Sequence, residues 1–240
     1  MKSYSNFDHN EHAKTVSRQD FWGQIRRTVN GVAVEEIQID MIVDAINKGM
    51  QISHNDFLLD IGCGNGALSE KIAKNASTLT GIDNSDYLIS VAKEFFESKP
   101  KSTFVHTEID SFMEKLSNES ALHYTKFVCY GAFSYLSERI ISSIFKFLDE
   151  KFLNTSIFYI GNIPNIEQTS QFFVQKLPSN IELSSCQTSI GKWWKKSELI
   201  DLANTYGWRA KITEMPSNFY GSRYRFDAIL YRDCTNLSTQ

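Results

Sequence analysis

The chain has 240 residues, 42% hydrophobic and 22% charged, which is ordinary for a globular protein and excludes a disordered, collagen-like or coiled-coil chain. Lys and Arg number 25 against 28 Asp and Glu, a net charge of −3, without the basic excess usual in a nucleic-acid binder. Cys63, Cys129, Cys186 and Cys234 stand far apart with no CxxC pair, so they read as reduced thiols of a cytoplasmic protein and not as zinc ligands.

The first residues, MKSYSNFDHNEH, are polar and lack the apolar core of a signal peptide. No apolar run reaches the ~20 residues of a membrane span. Residues 1–34 read as a polar arm or lid, with a short helix or ordered turn in Asp20–Gly31. From residue 35 the pattern becomes that of one domain running to 240. Val34, Ile37, Met41, Ile42, Ala45 and Ile46 predict a helix that Gly49 can end. Asp56–Ile61, Ser77–Asp83, Thr103–Thr107, Lys126–Gly131 and Ser156–Gly161 read as strands. Helices fall between them at 67–75, 85–97, 110–116 and 137–152. Such alternation predicts a parallel sheet with helices on both faces. After a helix at 195–206, Trp208–Met215 and Tyr224–Arg232 are successive strands without a crossover and must pair antiparallel. Residues 162–194 are too long for a simple connection and read as an insertion capping the substrate site, at the carboxyl ends of the strands.

The most informative stretch is Leu58-Leu59-Asp60-Ile61-Gly62-Cys63-Gly64-Asn65-Gly66, followed by Gly81-Ile82-Asp83. Glycines let the chain turn sharply and bring backbone against a ligand. The next helix points its N-terminus at that ligand. Asp83, ending a strand, can accept two hydrogen bonds from a ribose diol. Gly62, Gly64 and Ala67 formally satisfy the dinucleotide fingerprint G-x-G-x-x-G/A. Asp60 argues against that use, because a carboxylate there repels a pyrophosphate but holds a cation.

D-x-G-C-G-x-G, the acid ending strand two and the terminal antiparallel hairpin resemble class I S-adenosylmethionine-dependent methyltransferases of the small-molecule type, over about residues 35–232. The resemblance implies an α/β, Rossmann-like seven-stranded sheet in the order 3-2-1-4-5-7-6, with strand 7 antiparallel. It implies S-adenosylmethionine as cofactor. Asp60 then sits near the methionine amino group, Gly62, Cys63 and Gly64 along the cofactor, and Asp83 at the ribose. Asn84, Glu108 and Ile109 fall by the adenine, and Tyr130 with Gly131 by the methionine end. Family members of this type often carry a histidine after strand four. Here that run is Phe133-Ser134-Tyr135-Leu136. The Asn-Pro-Pro-Tyr signature of base amino-group methylation is absent there.

Methyl transfer from a sulfonium is an in-line displacement, in which the enzyme aligns the partners and excludes water. A hydroxyl acceptor needs a base, and an ionised oxygen does not. The catalytic candidates are Tyr135, His12 and Tyr220, with His9 as a second imidazole on the arm. Arg26 is the candidate for the methionine carboxylate. Trp22, Arg27, Trp193, Arg223 and Arg225 are candidates for the acceptor, since arginines fork onto carboxylates and phosphates. No His, Cys, Asp or Glu cluster has metal-ligand spacing, so no metal is expected. The function expected is methyl transfer to oxygen of a sugar, phosphorylated or carboxylated metabolite, in small-molecule biosynthesis. Alternatives are an RNA methyltransferase, an NAD(P)-dependent oxidoreductase and a non-catalytic relative of the fold.

Overall fold

The computed structural model describes residues 8–232. Cys234 and the first seven residues of the arm lie outside the described residues. The central sheet has seven strands: β1 (Phe57–Ile61), β2 (Thr78–Asp83), β3 (Ser102–His106), β4 (Lys126–Tyr130), β5 (Ile157–Pro164), β6 (Arg209–Thr213) and β7 (Arg225–Tyr231). Their order is β3-β2-β1-β4-β5-β7-β6. The first five run parallel, and β7 is antiparallel to both β5 and β6. This is the expected Rossmann-like arrangement.

β1 and β4 are buried along nearly their whole length because helices cover both faces, which is why they read as continuous apolar runs. Alternate residues serve different cores. Leu59 and Ile61 pack with Phe127, Phe158 and the helix Glu138–Glu150. Leu58 points the other way, to the helices Glu36–Met50 and Ala67–Ile72. The helix Glu36–Met50 buries Ile39, Ile42, Ile46 and Met50, one stripe at helical spacing.

Gly49 does not end that helix. The helix runs on to Met50, and Gln51 takes the left-handed turn with φ 52°. Gly49 is instead a contact point, where a Cβ would lie 2.7 Å from the Tyr159 ring. β5 also runs beyond the expected Gly161, because Ile163 and Pro164 still pair with Phe226 and Arg225. Within the arm, His9–Lys14 and Phe21–Gln24 are short helices, capped by the side chains of Asp8 and Asp20. Thr28–Val29 and Val32–Ala33 form a small hairpin around Asn30-Gly31, both at positive φ.

The segment after β5 carries helices Thr169–Phe172 and Asn180–Ser184 and returns beside the sheet. Trp194 N donates to Pro164 O, Trp193 N to Leu183 O and Lys192 N to Ser134 O. At Gly191 (φ 79°) a Cβ would lie 2.5 Å from Ser134 O, so only glycine lets the backbones meet.

Candidate active site

A cavity of about 1330 Å³ opens at the carboxyl ends of β1, β2, β4 and β5. Its first wall is the glycine loop. Gly62, Gly64 and Gly66 all have positive φ (72°, 58° and 77°), which folds the chain back over β2. Gly62 N and Cys63 N both donate to Ile82 O, at 2.8 and 3.0 Å. A Cβ at Gly62 would lie 2.3 Å from that of Ala132, so the loop abuts the turn after β4. The Cys63 thiol is buried and raised well above its usual pKa, chiefly by burial, so it stays protonated.

Two carboxylates face this wall. Asp83 Oδ2 accepts from Gly64 N (2.9 Å) and Oδ1 from Ser85 N (2.8 Å), which fixes the carboxylate rigidly. Asp60 is buried at the end of β1 and accepts from Ser69 Oγ at 2.5 Å. Burial raises its pKa to about 7; the Ser69 hydrogen bond and the Arg27 charge oppose the rise, and the Asp83 charge adds to it. Asn84, Glu108 and Ile109 line the same end. His106 lines it too, and its Nε2 hydrogen-bonds Asn84 O at 3.1 Å.

The arm lies over the glycine loop. Asn65 Nδ2 donates to Phe21 O (2.8 Å) and Gln24 Oε1 (2.9 Å). The Asn10 amide hydrogen-bonds Ser85 Oγ at 2.6 Å. Phe21 packs edge-on against Phe95 and Phe96, and Arg18 pairs with Glu94. Ile25 sits so close to Gly64 that a Cβ there would lie 3.0 Å away.

The other end of the cavity is basic and aromatic. Arg27 is buried, donates to Tyr130 O at 3.0 Å and stacks on the Tyr130 ring (4.7 Å). A Cβ at Gly131 would lie 2.7 Å from its Nη2. Arg26 (φ 57°) turns the opposite way and donates to Ser189 O at 2.7 Å. The two adjacent arginines therefore diverge. Arg27 is the one that acts electrostatically on Asp60, and Arg26 is the one that reaches the segment after β5. Tyr135 donates its hydroxyl to the same Ser189 O (3.0 Å), and burial raises its pKa. Its hydroxyl is therefore protonated and donating near neutral pH. Tyr220, Tyr224 and Arg225 close this end.

Four sequence candidates do not line the cavity. His12 Nε2 donates to Gly23 O (3.1 Å) and joins the two arm helices. Trp22 packs beside the Ile39 and Ile42 core and donates to Glu36 at 3.3 Å. Trp193 is 1% exposed, packed with Leu183, Ile190, Phe172 and Phe173. Arg223 lines a small separate cleft with Glu214 and Gln168. These aromatics went to cores because apolar burial outweighs a role at a solvated mouth.

Sequence reasoning underrated His9. Its ring lines the cavity and packs edge-on against Tyr135, centroids 4.4 Å apart. Burial first, then the Arg26 charge, lowers its pKa to about 4, so the imidazole is neutral near pH 7. The Asp8 cap and Glu11 on the arm were the local signal for the helix that places it. Asn162 was missed as well; nothing in its neighbourhood marks it as special. Among the described residues, no cluster of three or more His, Cys, Asp or Glu side chains could hold a metal ion, and no helix is long and apolar enough to cross a membrane.

Residues 58–151 match the Methyltransferase domain family. A ubiquinone biosynthesis O-methyltransferase from Coxiella burnetii is 34% identical over 99 residues, 40% of each chain. One from Aromatoleum aromaticum is 40% identical over 63 residues, 26% of this chain and 27% of that one. The chain therefore spans well under half the length of these curated relatives. Among solved structures, a magnesium protoporphyrin IX methyltransferase from Synechocystis PCC 6803 with bound SAH matches 89% of this chain and 94% of its own, with TM-score 0.56 and 15% identity. A TehB-like SAM-dependent methyltransferase from Corynebacterium glutamicum matches 93% and 99%, with TM-score 0.56 and 16% identity.

Residues 58–151 are thus similar to a methyltransferase domain, and the fold is that of these methyltransferase structures. Solved neighbours of this fold hold bound SAH or SAM, the S-adenosylmethionine cofactor that the sequence resemblance implies. The residues present fit that molecule. The Asp83 carboxylate is fixed by two amides and still has lone pairs for a diol, and Asp60 is a buried carboxyl whose ionised form an ammonium group would favour.

Proposed function

We propose that this chain moves a methyl group from S-adenosylmethionine to an oxygen of a small anionic acceptor. The observation that carries the reading is the polarity of the cavity. Asp60, Asp83 and Glu108 line it beside the glycine loop together with three arginines, Arg26, Arg27 and Arg225, of which Arg27 is near enough for its charge to act on Asp60. In this reading Asp83 holds the ribose, and Gly62, Cys63 and Gly64 lie along the cofactor. Asn84, Glu108 and Ile109 border the adenine. Asp60 takes the methionine ammonium, which favours its ionised form. Arg27, beside Gly131, takes the methionine carboxylate, and Arg26 and Arg225 face the acceptor.

When bound, the cofactor supplies an electrophilic methyl on a sulfonium; a C–O bond forms as the C–S bond breaks and its electron pair stays on sulfur. The chain's part is to align the oxygen, exclude water and remove a proton where the acceptor is a hydroxyl. His9 takes the base role expected of His12. An anion bound near Arg26 offsets that charge and raises the His9 pKa toward the working range. The arm acts as a lid, and residues 165–194 cap the acceptor side. The relatives' oxygen methylation supports the choice of atom.

The test is calorimetric titration with S-adenosylmethionine, S-adenosylhomocysteine and NADH. Binding of the first two without NADH is expected. NADH binding, or none of the three, overturns the reading.

A further inference from the structure

Asn162 sits where β5 departs from regular pairing with β7. Ile160 faces Ala228 and Ile163 faces Phe226, so Gly161 and Asn162 together oppose Asp227. The extra residue makes a bulge, a device that re-aims a side chain. Asn162 has φ 62°, the left-handed region that a residue with a Cβ enters at a cost. Two side chains from β7 hold it there. Asp227 Oδ1 accepts from Asn162 N (2.7 Å), and Arg225 Nη1 donates to Asn162 O (2.6 Å). The Tyr159 hydroxyl secures the other Asp227 oxygen at 2.5 Å. Backbone strain over-determined by its surroundings is typical of functional positions.

The bulge brings Asn162 to the cavity. The residue is 8% exposed, and its Oδ1 has no hydrogen-bond partner. Tyr130, on the adjacent strand, lines the same cavity at 6% exposure, and its hydroxyl also lacks a partner. Burial raises the Tyr130 pKa well above its ordinary value, so the hydroxyl remains a donor. Buried polar atoms without partners are costly and call for an explanation. Beside them, Arg225 rests on the Asn162 carbonyl and over the Tyr224 ring (5.2 Å), not on a carboxylate among the described residues.

We infer that Asn162 and Tyr130 form a hydroxyl-recognition subsite which, with Arg225, selects a hydroxyaryl carboxylate as acceptor. Asn162 Oδ1 accepts the acceptor's O–H, and the Tyr130 hydroxyl donates to the same oxygen. Arg225 takes the carboxylate, and the ring lies among the tyrosines. The inference deepens the methyltransferase reading above and rests on it.

The test is calorimetry on the full chain saturated with S-adenosylhomocysteine, using 2-, 3- and 4-hydroxybenzoate, benzoate and phenol as probes. At least one hydroxybenzoate is expected to bind about tenfold tighter than benzoate, the scale of a well-made buried hydrogen bond. It should also exceed phenol about tenfold or more, because the carboxylate is lost there. Asn162→Gly keeps the left-handed backbone and removes the amide; Tyr130→Phe removes only the hydroxyl. Each should reduce the preference over benzoate to about threefold or less, measured with S-adenosylhomocysteine saturating in each variant. Hydroxybenzoates that bind no tighter than benzoate, or a preference unchanged in both variants, overturn the subsite and leave the methyltransferase reading standing. Failure of S-adenosylhomocysteine to bind the wild type overturns that reading first, and the subsite with it.

Discussion

At the glycine-loop end of the cavity, the chemical groups come from short contiguous runs: Asp60 to Gly64, then Asp83 to Ser85. The others come from four places: Arg26 and Arg27 on the arm, Tyr130 and Tyr135 around the end of β4, Asn162 on the bulge, and Tyr220, Tyr224 and Arg225 leading into β7. The first end is built from backbone geometry, fixed by positive-φ glycines and by amides that bond to Asp83. The second is built from long side chains anchored to remote carbonyls, as with Arg26 and Tyr135 on Ser189 O. Local geometry recurs wherever its sequence does. Remote anchoring must be assembled anew in each fold.

Replacing Trp193 gives the largest expected effect. If it is core to the acceptor-side cap, Trp193→Ala should cost about 3–5 kcal/mol of stability, read by denaturant unfolding. A stable variant with weakened acceptor binding alone would return it to the substrate wall. Next comes pH. The unfolded Asp60 carboxyl ionises near 3.8, but the folded one holds its proton to about 7. The folded state therefore binds more protons between these values, and stability falls as pH rises through the window. Asp60→Asn should remove that loss, gaining on the wild type by on the order of 3 kcal/mol from pH 4 to pH 7 in matched urea melts. A constant gap across the window would show that Asp60 ionises normally.

At the cofactor end, Asp83→Ala should weaken S-adenosylhomocysteine binding by about 1.5–3 kcal/mol, the scale of lost charged hydrogen bonds. Unchanged affinity in a folded variant would remove the ribose assignment. The smallest effect belongs to Trp22→Phe, which gives up one long hydrogen bond to a half-exposed Glu36. Stability should move by no more than about 0.5 kcal/mol, with no change in acceptor binding.

The contrast between the two ends also sets how far the sequence could be read. The strand runs, their order and the antiparallel ending follow from periodicity and from the resemblance at 58–83, and the sheet has that form. Gly62, Gly64, Asp60 and Asp83 were legible because glycine and acid at fixed spacing leave few conformations. That His12 and Trp193 lie away from the cavity was not legible, for one reason. Their neighbours say that a helix or an aromatic core is near, but not which side chain faces inward. Arg26 and Arg27 are adjacent, and only the positive φ of Arg26 sends them in opposite directions.

The sequence by itself determined the sheet, the glycine loop and the acids that face it, since these rest on short-range backbone sterics and on strand and helix periods. Only the tertiary structure decided that His9 faces the cavity, that the Arg27 charge acts on Asp60, and that Asn162 is turned inward by a bulge held from β7. Those outcomes depend on packing and hydrogen bonds between residues tens to more than a hundred positions apart, such as Arg27 with Tyr130 O and Asp227 with Asn162 N, which no local pattern encodes.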